Sequence, residues 1–586
     1  MLPLAFMLHL SMNLEVPFPG WSGQPHCLQP SGPGGLHDYS LKSCSAGTSS
    51  HITPGMKIGI VGGGPGGVTM AKLLYDKGFH DLTLFEANSY IGGKSKAYRG
   101  EESPNDAYEL GTCYMGKHYA CVMHLADEMF MTTVAAEETP RQVSSLDAII
   151  ADMSPPSYGS ASTWYADYAF RKYNVNPMDF QQRLVEDIQS YSVAWVGTMG
   201  PMRYMFPQQD SVDFSKLNVT FLEWLEEREL YAFISILTTA MTGQGYGDLG
   251  TTPAFYGLQW MHPNSLALKG TGFVMLQEGF PELWRRLISS THAKVHLNSP
   301  VTSVVRNSEQ AVVTVNGSEH VFDWIVFAIP MPSGLKVLDS TPEEIEVFER
   351  FTFTELVGSY SRLRNLGVLP DDVALFSWVD HYLAQTDTHE VKYNPITKQL
   401  SNSTLLRDGD SHPWTLRAAH NIKSFADTGV IGALQISAVD ESDESLWQKT
   451  REGLAPYSLV IEEQLVQERW QYFPRKNNAE ILEGKHPWKI WDMQGAKRTW
   501  FVGSYTNHEN VASILDYNLQ LVNTHLCSDT VPETPATPLV CDTSEDCPVG
   551  FSCDLHSSGE VPSRSMLFST VAVENGVCIV SPDPQP

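Results

Sequence analysis

The chain has 586 residues and a 42% apolar, 11% aromatic composition, enough to bury a large core, so a mainly disordered, collagen-like or small disulfide-scaffold protein is excluded. Acidic residues outnumber basic ones 67 to 39, a formal charge of −28, and that surplus repels phosphate backbones and argues against sequence-independent nucleic-acid binding. No apolar run approaches the roughly 20 residues that span a bilayer.

Residues 1–55 read as a leader without helical or strand period. Pro17–Gly23, Gln29–Gly35 and Ser43–Ser50 are rich in Gly, Pro and Ser, and Leu2–Leu10 forms a short apolar run. That run is either a weak signal segment, lacking a basic flank and a small-x-small cleavage site, or part of a disordered leader. The first ordered signal is Lys57-Ile-Gly-Ile-Val61, a buried-strand pattern that runs into Gly62-Gly-Gly-Pro-Gly-Gly67. Gly62, Gly64 and Gly67 fill the three glycine places of a GxGxxG cradle, with Pro65 and Gly66 between them. The first place permits a tight turn, the second admits a pyrophosphate to the backbone, and the third lets helix pack on strand. The following residues have helical spacing, so free N–H groups face the phosphates. A second strand, Asp81-Leu-Thr-Leu-Phe85, ends in Glu86, 19 residues after Gly67, where an acid accepts hydrogen bonds from ribose hydroxyls.

A cradle of this kind takes a nicotinamide or a flavin cofactor. Ile91-Gly-Gly93-Lys94 places paired glycines and a cation eight residues after the acid, and Gly111-Thr112 offers another backbone turn. This two-glycine signature resembles the flavin-dependent amine oxidase superfamily, and later motifs keep its order. Gly272-Phe-Val with Glu278-Gly-Phe-Pro-Glu-Leu-Trp284 resembles the segment opening a returning helix, and Pro300–Val304 the strand touching the adenine side through Val301. Asp323–Pro330 resembles the strand ending in proline. Trp500-Phe-Val-Gly503-Ser504, with Val511 opening a last helix, resembles the C-terminal flavin motif, although Ser504 stands where an acid is usual. The resemblance implies FAD and an α/β fold, in which a Rossmann-like FAD-binding domain is interleaved with a substrate domain of mixed sheet and helices. The expected parts are FAD-binding at 56–120, 291–340 and 481–527, mainly helical substrate domain at 121–290, and further substrate domain at 341–480.

Within the superfamily the sequence is similar to FAD-dependent polyenoic fatty acid double-bond isomerases, with the β-cyclopiazonate dehydrogenase group beside them. The stretches are Gly78-Phe-His-Asp81, Gly92-Gly-Lys94, Gly245-Tyr-Gly247, Trp470-Gln-Tyr-Phe-Pro474 and Met493-Gln-Gly495. This likeness implies a small hydrophobic substrate, a polyunsaturated fatty acid. Hydride would pass from the methylene between two double bonds to flavin N5 and return to another carbon, with no strong base required. Arg141 is the candidate carboxylate anchor. Met241, Gln244 and Tyr246 are candidate pocket-lining residues, the first two standing where bacterial isomerases have bulky aromatics. The alternatives are an amine oxidase or dehydrogenase passing electrons to oxygen, with Tyr472, Trp500 and Tyr505 as flavin-flanking candidates, and a non-catalytic secreted binding protein.

Residues 528–586 form a cysteine-rich tail. Cys541, Cys547, Cys553 and Cys578 fall within 38 residues, and two disulfides are favoured over zinc because no CxxC pair is present and only His556 lies nearby. No metal site is assigned in the body. Disulfides and the triplets at Asn218, Asn316 and Asn402 imply a secreted or secretory-pathway protein, the alternative being cytoplasmic.

Overall fold

A computed structural model describes residues 52–100, 107–135, 169–170, 172–200, 206–247, 249–263, 274–365, 430–437, 440–454, 459–484 and 486–528, together with the backbone of short strands elsewhere. The chain divides into two compact units, 54–520 with 1–22, and 521–586 with 23–53. In the second unit, Gly576–Val580 pairs antiparallel with both Val540–Cys541 and Phe551–Asp554. The expected pairing of the tail cysteines and most of the leader lie outside the described residues.

The first unit is built on a five-stranded sheet. Its order is Thr499–Phe501, Trp324–Phe327, Ile58–Val61, Leu82–Phe85, Lys294–His296, and every pair is parallel. Ile58–Val61, Leu82–Phe85 and Trp324–Phe327 are buried along their whole length, as strands covered on both faces must be. The connection from the first to the second strand is the helix Pro65–Asp76, with proline in its first turn. The helix Phe280–Ser290 packs beside it, and Trp284 is fully buried there. Residues 301–322 add a three-stranded meander whose last hairpin turns at Asn316-Gly317, both with positive φ.

A second, mostly antiparallel sheet carries the long strands Thr352–Asn365 and Leu459–Arg475, with Val430–Ser437 beside the former. At Gly358 an added Cβ would stand 2.8 Å from the Leu110 carbonyl oxygen. The Tyr360 hydroxyl donates to the Glu109 carbonyl at 2.8 Å, so this sheet lies directly on the 108–111 segment. Between 180 and 290 the described residues carry the helices Phe180–Met199, Phe221–Glu226, Tyr231–Gly243, Ala254–Trp260 and Phe280–Ser290 and the short strand Val274–Leu276. Asp187 caps the third of the 180–260 helices: its carboxylate accepts the Ala232 N–H at 2.8 Å and pairs with Arg183, while burial pushes it up to about 6. Among the described residues no helix is long and apolar enough to cross a membrane.

One charge cluster ties the meander to the parallel sheet. The Arg306 side chain is fully buried; its Nε donates to Asp339 at 2.7 Å, and its two terminal nitrogens donate to the Glu344 carboxylate at 2.8 Å each. Glu344 also closes a capping box with Thr341. Removing the guanidinium leaves a buried carboxylate uncompensated, which costs about 3–5 kcal/mol. Arg306→Leu is therefore expected to lower the denaturant midpoint of the flavin-domain transition sharply. A midpoint equal to the parent's would show that the cluster contributes little.

Candidate functional site

All strands of the parallel sheet deliver their C-terminal ends to one side, the side where open α/β sheets bind ligands. Three glycine turns meet there. Gly62 leaves its strand with φ 106°, Gly93 has φ 56° and Gly503 has φ 113°. An added Cβ at Gly93 would stand 3.0 Å from the Gly64 Cα, and one at Gly66 would stand 3.1 Å from the Gly503 Cα. The turns touch backbone to backbone, with no room for side chains between them. Gly64 differs, since an added Cβ there meets nothing closer than 3.8 Å and faces a cavity. The helix behind it has no side-chain cap at Gly64, so its first-turn N–H groups and the positive end of its dipole are available to an anion.

Glu86 is buried at the end of the second strand. Its Oε2 accepts the Gly63 N–H at 2.7 Å, and its Oε1 accepts both the Asn88 N–H and the Asn88 side-chain amide at 2.8 Å. The carboxylate is thus locked in place against the glycine turn, with one lone pair on Oε2 left for a sugar hydroxyl. Asn518 reaches back from the helix Val511–His525 to accept no bond but to donate to the Gly66 carbonyl at 2.9 Å and to Thr69 Oγ1 at 2.8 Å. The last helix is thereby pinned to the first.

These groups line one cavity of about 700 Å³, within the range of about 300–1,000 Å³ usual for ligand sites. Of the predicted cofactor residues, Gly62, Gly64, Pro65, Gly66, Glu86, Gly93 and Lys94 lie on its wall, as do Gly111, Thr112, Gly503, Ser504 and Val511. Gln244 and Tyr246 lie there too. The cradle therefore fits a dinucleotide: an open backbone turn, an uncapped helix end and a positioned acid surround the same space.

Four expected positions fall elsewhere. Gly67 is structural, because an added Cβ would stand 2.0 Å from the Gly62 carbonyl oxygen. Val301 is not on the cavity wall; it opens a meander strand opposite Val315 and packs on the core between meander and sheet. Met241 is fully buried in its helix, and its carbonyl accepts the N–H groups of Gln244 and Tyr246, so it shapes the turn that presents them. Trp500 packs on Trp324 with ring centroids 5.3 Å apart, off the wall, whereas Tyr472 and Tyr505 are on it. Arg141 begins the strand Arg141–Ser144, paired parallel to Val373–Ser377; its side chain lies outside the described residues.

Lys94 lines the cavity but its charge is committed. The ammonium pairs with Glu509 at 2.7 Å and sits 5.5 Å from the centre of the Tyr472 ring. Glu509 also accepts the Phe473 N–H at 3.0 Å, and its carbonyl accepts the Tyr246 hydroxyl at 2.9 Å. Sequence reasoning looked for an acid at 504 and passed over this one, five residues later. Its only signal was an acid immediately before the last helix. Beyond the pair the wall becomes aromatic, with Tyr119, Tyr246, Trp260 and Tyr472, plus Met261 and Leu356. The Tyr246 and Tyr472 rings are 5.5 Å apart. Burial pushes both phenols upward, and it pulls the His118 imidazole on the same wall down to about 4. This lobe keeps its titratable groups uncharged.

Residues 65–354 match the sequence profile described as flavin containing amine oxidoreductase. A polyenoic fatty acid isomerase from Ptilota filicina is 21% identical over 498 residues, covering 78% of this chain and 93% of that protein. A CLA-producing fatty acid isomerase from P. acnes shares the fold with TM-score 0.61 and 16% identity, covering 81% of this chain and 99% of that one. A putative protoporphyrinogen oxidase from Exiguobacterium is similar at TM-score 0.52 and 15% identity, over 80% and 98% of the two chains. The Rossmann-type fold expected from the glycine signature is thus the observed one, and the chain is an enzyme of flavin chemistry. Over residues 65–354 the chain is thus similar to flavin containing amine oxidoreductases, as its glycine signature implied.

Proposed function

We propose that the chain is an FAD-dependent isomerase that moves double bonds in a polyunsaturated fatty acid. The observation that carries this reading is the cavity whose wall includes both the dinucleotide cradle at Gly64 and Glu86 and the aromatic lobe at Tyr246 and Tyr472. The likeness to two proteins named as fatty acid isomerases supports the choice of substrate. When bound, FAD supplies hydride acceptance and return at N5.

The residues of the chain have four tasks in this reading. Gly64, Gly66 and the uncapped helix end receive the diphosphate, and Glu86 accepts the ribose hydroxyls. Gly503, Ser504 and Val511 approach the far half of the cofactor. Tyr119, Tyr246, Trp260 and Tyr472 hold an acyl chain against it and exclude water. Arg141, whose side chain lies outside the described residues, is an alternative anchor for the carboxyl end. No general base is needed, in keeping with a lobe whose histidine and tyrosines stay neutral.

Two expectations test the assignment. Gly64→Ala adds a Cβ that meets no protein atom closer than 3.8 Å at an ordinary backbone angle, so thermal stability of the cofactor-free protein should be unchanged while FAD binds roughly tenfold more weakly. Gly67→Ala should lose stability and FAD together, and identical behaviour of the two variants would refute the cradle. For the reaction, FAD-loaded protein is incubated with linoleic or arachidonic acid without oxygen. Growth of conjugated-diene or conjugated-triene absorbance is expected. Turnover that needs oxygen and releases hydrogen peroxide would instead assign an oxidase.

A further inference from the structure

The charged side chains on the cavity wall are already matched. Lys94 pairs with Glu509, Arg469 with Glu355 and Asp443, and Glu468 with Lys96. Glu86 is held by Gly63 and Asn88. Among the described residues, the lobe beyond Tyr246 therefore offers a substrate dipoles and aromatic faces rather than an uncommitted cation. Within that lobe one polar side chain is held in a defined sense. The Trp260 indole N–H donates to the Gln244 Oε1 at 3.1 Å. Indole is only a donor, so the bond fixes which end of the amide meets it: the carbonyl faces Trp260 and the NH₂ turns the other way.

The backbone enforces the same presentation. The helix Tyr231–Gly243 ends with the Met241 carbonyl accepting N–H groups from both Gln244 and Tyr246, and Gly245 takes φ 81° between them. A Cβ on Gly245 would stand 2.8 Å from Leu356, so the turn is pressed against the long strand and cannot relax outward. Gln244 and Tyr246 consequently both reach the cavity wall, and the Tyr246 hydroxyl is spent on the Glu509 carbonyl. The amide NH₂ of Gln244 has no hydrogen-bond partner among the described residues, and the residue stands on the cavity wall. A polar donor on an aromatic-lined wall is costly unless something accepts from it, and so favours a ligand that does.

We infer that Gln244 is a specificity-determining residue whose NH₂ donates to an oxygen of the substrate. The oxygen-bearing end of an amphiphilic chain then lies beside Gln244, and its hydrocarbon runs on between the aromatic rings of the same wall. The inference deepens the fatty-acid reading and rests on it for the substrate class. Recognition is by hydrogen bond to an acceptor oxygen, so an alcohol or an ester carbonyl satisfies it as a carboxyl group does.

The test uses FAD-loaded protein titrated anaerobically with octadecadienol and with octadecadiene, an uncharged pair that differs by one hydroxyl, read as perturbation of the bound flavin spectrum. Wild-type protein is expected to prefer the alcohol by roughly three- to tenfold, the worth of one neutral hydrogen bond. Gln244→Leu should erase that preference while still binding the diene. Trp260→Phe, which keeps the ring and frees the amide to rotate, should reduce it part-way. A wild type without preference, or a Gln244→Leu protein that keeps it, overturns the inference. Conjugation of linoleic acid is measured on the same samples. If the preference follows Gln244 but no conjugated product forms, the isomerase reading falls and the recognition stands. If product forms and the preference ignores Gln244, the reverse holds.

Discussion

The site exists because three stretches of backbone come closer together than side chains would permit. Gly64 with Gly66, Gly93 and Gly503 belong to turns that follow different elements, and a Cβ added at Gly93 or Gly66 would stand only 3.0 or 3.1 Å from the facing Cα of Gly64 or Gly503. Parallel strands bring the turns after Val61 and Phe501 to the same end of the sheet, and the Gly92-Gly93 turn is tied to them by the Gly92 N–H donating to the Gly63 carbonyl at 2.9 Å. Everything later in the chain is hung on that junction. The last helix is pinned to it through Asn518, the returning helix reaches it through Trp284, and the cavity is the gap left where no side chain projects.

The electrostatics of that gap follow from the same geometry. A chain of charge −28 is a poor host for an anion at long range. The cradle meets the difficulty with oriented backbone N–H groups, whose partial charges act only within a helical turn and need no counter-charge nearby. The one acid aimed into the cradle, Glu86, is placed for neutral hydroxyls, and its negative charge is shared among three N–H donors. Lys94 does not supply an open positive charge. Paired with Glu509 and lying near Tyr472, it stands at the border between cradle and aromatic lobe as half of a mutually neutralised unit. Ser504, in the place where an acid is usual in the resembling superfamily, keeps the cofactor wall less negative by one charge.

What could be read from the sequence was what is local in the chain. Strand, glycine turn, helix, strand and acid lie within thirty residues, so their spacing reports their geometry, and Gly62, Gly64 and Glu86 stand where that spacing put them. The Gly503–Val511 turn is legible for the same reason. The lobe is not local: Tyr119, Trp260, Leu356 and Tyr472 come from four separate segments, brought together by contacts such as Tyr360 on Glu109 and Trp260 on Gln244. Val301 was drawn toward the cofactor by its place in the motif order, but the meander turns it into the core. Met241 and Trp500 carry the right side chains on the wrong faces, a helix interior and the far side of a strand. Glu509 was hidden because an acid is most visible where a motif expects one.

The character of the lobe bears on which chemistry the family's scaffold performs here. An amine substrate arrives as a cation and must give up a proton before hydride leaves its carbon, so a site for it profits from a base or from an open carboxylate. The carboxylates on this wall are already held by Lys94, Lys96 or the Gly63 turn, and burial keeps His118 neutral without making it a stronger base. A polyunsaturated chain needs to surrender no proton before hydride leaves it. The carbon between its double bonds loses hydride to leave a delocalised cation, which aromatic faces stabilise and which water would capture. Neutral, dry and ring-lined surroundings favour that species over an ammonium ion. The same surroundings make a single amide donor at Gln244 count for more than it would at the surface, because in a low-dielectric lobe an unanswered donor is penalised and an answered one orients the whole chain.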